Sequence, residues 1–103
     1  IGLNSDSSVK RNKGPTRPIV PEDERARMLA GLEAVDYVVI FHEDEPKAML
    51  SALLPDVLVK GEDWSHYVSG REIVEGSGGK VVLAPLTPGR STTNVIGKIK
   101  ETC

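Results

Sequence analysis

The pentapeptide Gly89-Arg90-Ser91-Thr92-Thr93 gathers one guanidinium and three hydroxyls beside a glycine. Such groups suit an anion, because arginine offers a planar fork of charged donors and hydroxyls donate without adding bulk. Upstream, Lys80-Val81-Val82-Leu83-Ala84 is a β-prone run, and downstream Val95, Ile96 and Ile99 fall at helical spacing. The pentapeptide therefore leads from a strand into a helix start, where unpartnered backbone N–H groups and the peptide dipole both favour negative charge. Ser91 or Thr92 equally suits a plain helix cap, and spacing alone leaves both roles open.

A second chemically loaded stretch is Lys60-Gly61-Glu62-Asp63-Trp64. It leaves a strand, turns on the glycine, and presents an acid able to accept from ribose hydroxyls together with an aromatic that can stack on a ligand or cover the sheet edge. His42 and His66 stand alone and match no metal-ligand spacing, and Cys103 is the only cysteine, so no internal disulfide or cysteine metal cluster can form. That cysteine usage suits a reducing, cytoplasmic setting. No G-x-x-x-x-G-K-[ST] loop occurs, and Gly76-Ser77-Gly78-Gly79 precedes a strand, which makes it a helix stop rather than a phosphate loop.

The elements that must position these residues alternate. The 103 residues, 39% hydrophobic, predict one domain with a modest core; 13 basic against 15 acidic residues argue against a chain held to nucleic acid by bulk charge. Apolar runs are too short to span a bilayer. Ile1-Gly2-Leu3 reads as the tail of a strand, and Asn4 to Val20 as a long polar loop. Pro21 and the acids at 22–24 open a helix with Met28, Leu29, Leu32 and Val35 on one stripe. Tyr37 to Phe41 reads as a strand buried on both faces. A helix from Pro46 carries Met49, Leu50 and Leu53 inward, Pro55 stops it, and Val57-Leu58-Val59 forms the next strand. A helix from Val68 to Glu75, the strand at 80–84 and a helix from about Thr92 complete the series.

Strand and helix in alternation imply a parallel sheet with right-handed crossovers, whose ligands bind beyond the carboxyl ends of the strands. Those ends lead into Asn4 to Val20, His42 to Glu45, Lys60 to His66 and Pro85 to Ser91, which carry Lys10, Arg11, Lys13, Arg17, Lys60 and Arg90. A surplus of cations on that edge suits a polyphosphate, and a nucleotide is the natural candidate.

The motifs Gly2-Leu3-Asn4-Ser5-Asp6, Lys13-Gly14-Pro15-Thr16-Arg17-Pro18-Ile19-Val20-Pro21, Glu24-Arg25, Val35-Asp36-Tyr37-Val38-Val39, Asp56-Val57-Leu58-Val59-Lys60-Gly61 and Gly89-Arg90-Ser91-Thr92-Thr93 occur in that order. In order and spacing they resemble the adenylyltransferase domains of bacterial ADP-heptose synthases, within the cytidylyltransferase-like nucleotidyltransferases. Gly70-Arg71-Glu72 and Gly78-Gly79 agree with the heptose branch. The resemblance covers essentially the whole chain. It implies an α/β, Rossmann-like parallel sheet with flanking helices, lacking the first strand and helix of the nucleotidyltransferase fold.

It further implies AMP transfer from ATP, with Mg²⁺, to D-glycero-β-D-manno-heptose 1-phosphate. The products are pyrophosphate and ADP-heptose, a lipopolysaccharide core precursor. Partners implied are ATP, the sugar 1-phosphate, a ribokinase-like heptose kinase by fusion or association, and a second copy of the chain. By position, Arg90, Ser91, Thr92 and Thr93 match the signature that holds the ATP phosphates at a helix start. Lys13 and Arg25 match phosphate-facing basic positions, and Asp63 an acid near the ribose. Related glycerol-phosphate enzymes carry arginine where this chain has Leu86, so Arg90 supplies that charge from elsewhere in the loop. The family's His-x-Gly-His signature is absent and is expected upstream of Ile1; no catalytic residue is assigned within the chain, and these residues alone are expected to be inactive. A cytidylyltransferase for another phosphorylated acceptor, and a noncatalytic α/β binding or dimerisation module, are the alternatives.

Overall fold

A computed structural model describes all residues from Ile1 to Cys103. The chain divides into two compact units, Ile1–Leu54 and Pro55–Cys103, each built on a pair of parallel strands. The first runs β1 (Gly2–Asn4), α1 (Asp6–Lys13), α2 (Glu22–Ala30), β2 (Val39–Phe41) and α3 (Lys47–Leu53). The second runs β3 (Val57–Gly61), a single 3₁₀ turn (Glu62–Trp64), α4 (Arg71–Gly76), β4 (Lys80–Ala84) and α5 (Thr92–Thr102). The parallel pairing read from the alternation of elements is thus present, as two separate pairs.

In the first unit β1 and β2 align Gly2 with Val39 and Asn4 with Phe41. The expected loop from Asn4 to Val20 instead contains a two-turn helix. Ser5 caps α1 by accepting the Ser8 N–H at 3.2 Å, Asp6 lies in the first turn, and Lys10, Arg11 and Lys13 lie in the last, as the helix dipole favours. Its buried anchor is Ser8, whose hydroxyl donates to the Glu43 carbonyl at 2.7 Å. A helix that buries a serine leaves no apolar period to detect.

Two further expectations for this unit are corrected. Phe41 is buried, but Tyr37 is 80% exposed and precedes β2, and Val39 is exposed, so this strand is not covered on both faces. Of the α2 stripe, Met28 and Leu32 are exposed while Leu29 and Val35 are half-buried, and Gly31 closes the helix before Leu32. On α3, Leu50 is buried while Leu53 faces solvent, and Leu54 adopts a left-handed conformation (φ 46°) immediately ahead of Pro55.

In the second unit β3 and β4 pair along their whole length, from Val57 with Lys80 to Gly61 with Ala84. Exposure alternates along β3, with Val57 and Val59 open and Leu58 half-buried, because α4 packs on the pair. Val68 and Val74 form the core; Val68 precedes α4, which starts at Arg71 rather than at Val68 as predicted. The glycine-rich stop behaves as expected, since Gly79 donates back to the Val74 carbonyl at 2.9 Å and the next residue enters β4. No helix in the chain is long and apolar enough to cross a membrane.

Candidate functional site

At the carboxyl end of β4 the chain runs through Pro85 to Arg90 and enters α5. Gly89 takes φ 75°, a left-handed turn that glycine adopts without strain, and Arg90 N–H donates to the Thr87 carbonyl at 3.2 Å. Ser91 is fully extended and caps the helix, its Oγ accepting the Asn94 N–H at 3.0 Å. The cap role is therefore real, and it leaves the Ser91 O–H available as a donor. Ser91→Ala is expected to cost about 1 kcal/mol of local helix stability, read as faster amide exchange at Asn94.

Arg90 is exposed, and its guanidinium makes no hydrogen bond or ion pair within the chain. It lines an open concavity of about 500 Å³ together with Gly89, Ser91, Thr92, Asn94, Val95 and Lys98. Lys98 was not singled out from the sequence. Its signal was legible, since residues 91, 94/95 and 98 share one helical face. The concavity thus combines a helix start, two cations and hydroxyl donors, with no carboxylate in its lining. That chemistry fits an anion with several oxygens.

The same lining does not suit a protein-held Mg²⁺, which takes oxygen ligands led by carboxylates and phosphates. No group of three or more His, Cys, Asp or Glu side chains converges anywhere in the chain.

Asp63 lies in the 3₁₀ turn that follows β3, exposed, with its carboxylate folded back over Gly61. Trp64 is half-exposed; the Lys60 ammonium sits 5.4 Å from its ring centre, and the His66 ring stacks on it at 6.0 Å. The indole therefore partners its own neighbours at the strand end.

In the first unit, Lys13 ends α1, exposed and without an internal partner. Arg25 is differently placed. Its Nε donates to the Val20 carbonyl at 2.9 Å, Nη1 to the Asn4 carbonyl at 3.0 Å and Nη2 to Asp6 Oδ1 at 2.8 Å. This guanidinium ties the end of β1 to the segment ahead of α2. Arg11, counted from the sequence among the ligand-edge cations, pairs with Asp44 and the His42 carbonyl, which fastens the β2 end to α1.

The parallel strand pairs with their flanking helices are consistent with a nucleotidyltransferase fold. A sequence model of the cytidylyltransferase-like family matches residues 1–98, and the chain belongs to that family. Among curated relatives, the bifunctional protein HldE of Acidiphilium cryptum is 55% identical over 102 residues, covering 98% of this chain and 21% of the relative. The bifunctional protein HldE of Trichlorobacter lovleyi is 50% identical over 102 residues, with the same coverage of 98% and 21%. That of Mesorhizobium japonicum is 52% identical over 101 residues, 97% of this chain and 20% of the relative. The chain spans about a fifth of the length of these relatives.

Proposed function

We propose that this chain is part of a single cytidylyltransferase-like domain of an adenylyltransferase that moves AMP from ATP to D-glycero-β-D-manno-heptose 1-phosphate. In that reaction a phosphate oxygen of the sugar attacks the α-phosphorus of ATP. The bond to the β-phosphate oxygen breaks, and pyrophosphate leaves. The observation that carries the reading is the unpartnered Arg90 guanidinium beside the Ser91-capped start of α5. Negative charge builds on the leaving pyrophosphate, and donors already fixed around it lower the barrier without reorganising during the step.

Within this scheme Arg90 and Lys98 neutralise the β- and γ-phosphates, and the Ser91, Thr92 and Thr93 hydroxyls donate to their oxygens. Asp63 accepts from the ribose. Lys13 adds a basic position for phosphate, as does Arg25 through the donors its three internal bonds leave over. No His-x-Gly-His occurs among these residues, and none of them is assigned to the reacting phosphorus itself. Mg²⁺ travels with ATP. The product is a nucleotide-activated heptose for the lipopolysaccharide core, made in the cytoplasm. The relatives' designation as bifunctional proteins, and their length, fit a heptose kinase acting beside this domain.

The test is pyrophosphate release by the full-length protein. Release is expected only when ATP and heptose 1-phosphate are both present. Equal turnover with CTP would overturn the choice of nucleotide, and release indifferent to the sugar phosphate would overturn the acceptor.

A further inference from the structure

The loop carrying Arg90 is held from outside itself. The Leu86 N–H donates to Glu62 Oε1 at 2.9 Å, a bond spanning 24 residues that joins the first residue after β3 to the second residue after β4. A second contact lies beside it. A Cβ placed on Gly61 would stand 3.4 Å from Leu86 Cδ2 and 2.6 Å from Asp63 Oδ1, so the Leu86 side chain and the Asp63 carboxylate both lean on the bare Cα of Gly61. The register explains the meeting, because Gly61 pairs with Ala84 at the last rung of the ladder and both chains turn off immediately beyond it. Leu86 is thus fixed through its backbone by Glu62 and through its side chain over Gly61.

We infer that Glu62 is a positioning residue: its carboxylate clasps Leu86 and sets where the Pro85–Arg90 loop, and with it the Arg90 guanidinium, begins. The effect on nucleotide rests on the phosphate role proposed above for that loop. Without the clasp, the segment from Pro85 to Gly89 would rely on Pro85, Pro88 and the single turn bond from Arg90 N–H to Thr87 to hold its course. A loop that samples more conformations presents its arginine correctly for a smaller fraction of the time, and apparent affinity falls by that fraction. The carboxylate does not touch the nucleotide in this account; it acts through the Leu86 amide.

The experiment compares Glu62→Ala and Glu62→Gln in the full-length protein. Amide exchange at Leu86 is measured without nucleotide, and ATP affinity by titration. Glu62→Ala is expected to speed Leu86 exchange and weaken ATP binding, each by about 2- to 10-fold, the range for one intramolecular hydrogen bond. The KM for ATP should rise more than kcat falls. Glu62→Gln keeps an oxygen acceptor at the same reach and should restore most of both effects. Unchanged Leu86 exchange in a folded Glu62→Ala protein would overturn the clasp. Faster exchange with unaltered ATP affinity, while Arg90→Ala still weakens ATP, would overturn the positioning role. If Arg90→Ala also leaves ATP binding untouched, the phosphate reading of the loop fails, and faster exchange then upholds the clasp alone.

Discussion

Arg90→Ala is expected to weaken ATP binding to the full-length protein by about 1.5–3 kcal/mol, the range for a hydrogen bond to a charged group. The variant isolates one interaction, because the guanidinium holds no partner within the chain and its removal leaves no polar group stranded. Protein stability should be unaffected. Lysine in its place would keep the charge and lose the fork that grips two phosphate oxygens, so Arg90→Lys should fall between wild type and alanine. The side chain is exposed, so the loss should shrink as salt rises. Adenosine, which lacks the phosphates, should bind both proteins equally. Titrations of ATP and adenosine at two ionic strengths check each of these outcomes.

Gly79→Ala should destabilise the β3–β4 unit by about 1–3 kcal/mol, as overpacking of a filled site does. A Cβ there would come 2.8 Å from the Asp56 carbonyl oxygen, 2.8 Å from Val74 Cγ1 and 2.9 Å from the Pro55 carbonyl oxygen. Two of these three neighbours are backbone and cannot rotate away. The third belongs to Val74, the most deeply buried side chain of the unit. Gly79 also donates to the Val74 carbonyl, and the next residue bonds Asp56, so a displaced Gly79 disturbs the helix stop and the first rung of the sheet together. The measurement is amide exchange along β4, where Val82 and Leu83 should lose protection. Gly76→Ala, with open space around the position, should leave that protection nearly unchanged and serves as the control.

These two residues show which parts of the molecule were legible in the chain itself. The strand at 80–84 and the helix from Thr92 stood out because β-prone and helical periods change across a short glycine- and proline-bearing loop, and the structure places both where that change occurs. The glycine stop was legible for the same reason. By contrast, α1 lay hidden in a polar segment because its buried anchor is Ser8 and its stability comes from a serine cap and a charge gradient. Local hydrogen bonding of this kind leaves no apolar stripe. The stripes at Met28 and Leu32, and at Val95 and Ile99, have the right period but are exposed, since periodicity reports which face is apolar and not what covers it.

The candidate site divides in the same way. Arg90 and Ser91–Thr93 were recognisable as a cluster because they are consecutive, and Asp63 because it follows a strand and a glycine. Lys98 joins the lining from two turns into the helix; counting helical steps on from Ser91 through residues 94 and 95 would have found it. Glu62 was passed over because its importance lies in a partner 24 residues away, which no local pattern encodes. Arg25 was read as a cation facing ligand; its neighbours make it also the brace that holds Val20, Asn4 and Asp6 together.

Hydrogen exchange of the full-length protein with ATP, and separately with adenosine, tests the anion cradle most directly. ATP should protect the amides from Arg90 to Asn94 at the start of α5, and adenosine at equal occupancy should leave them unprotected. Binding of ATP that protects other segments while this helix start exchanges as freely as before would contradict the account.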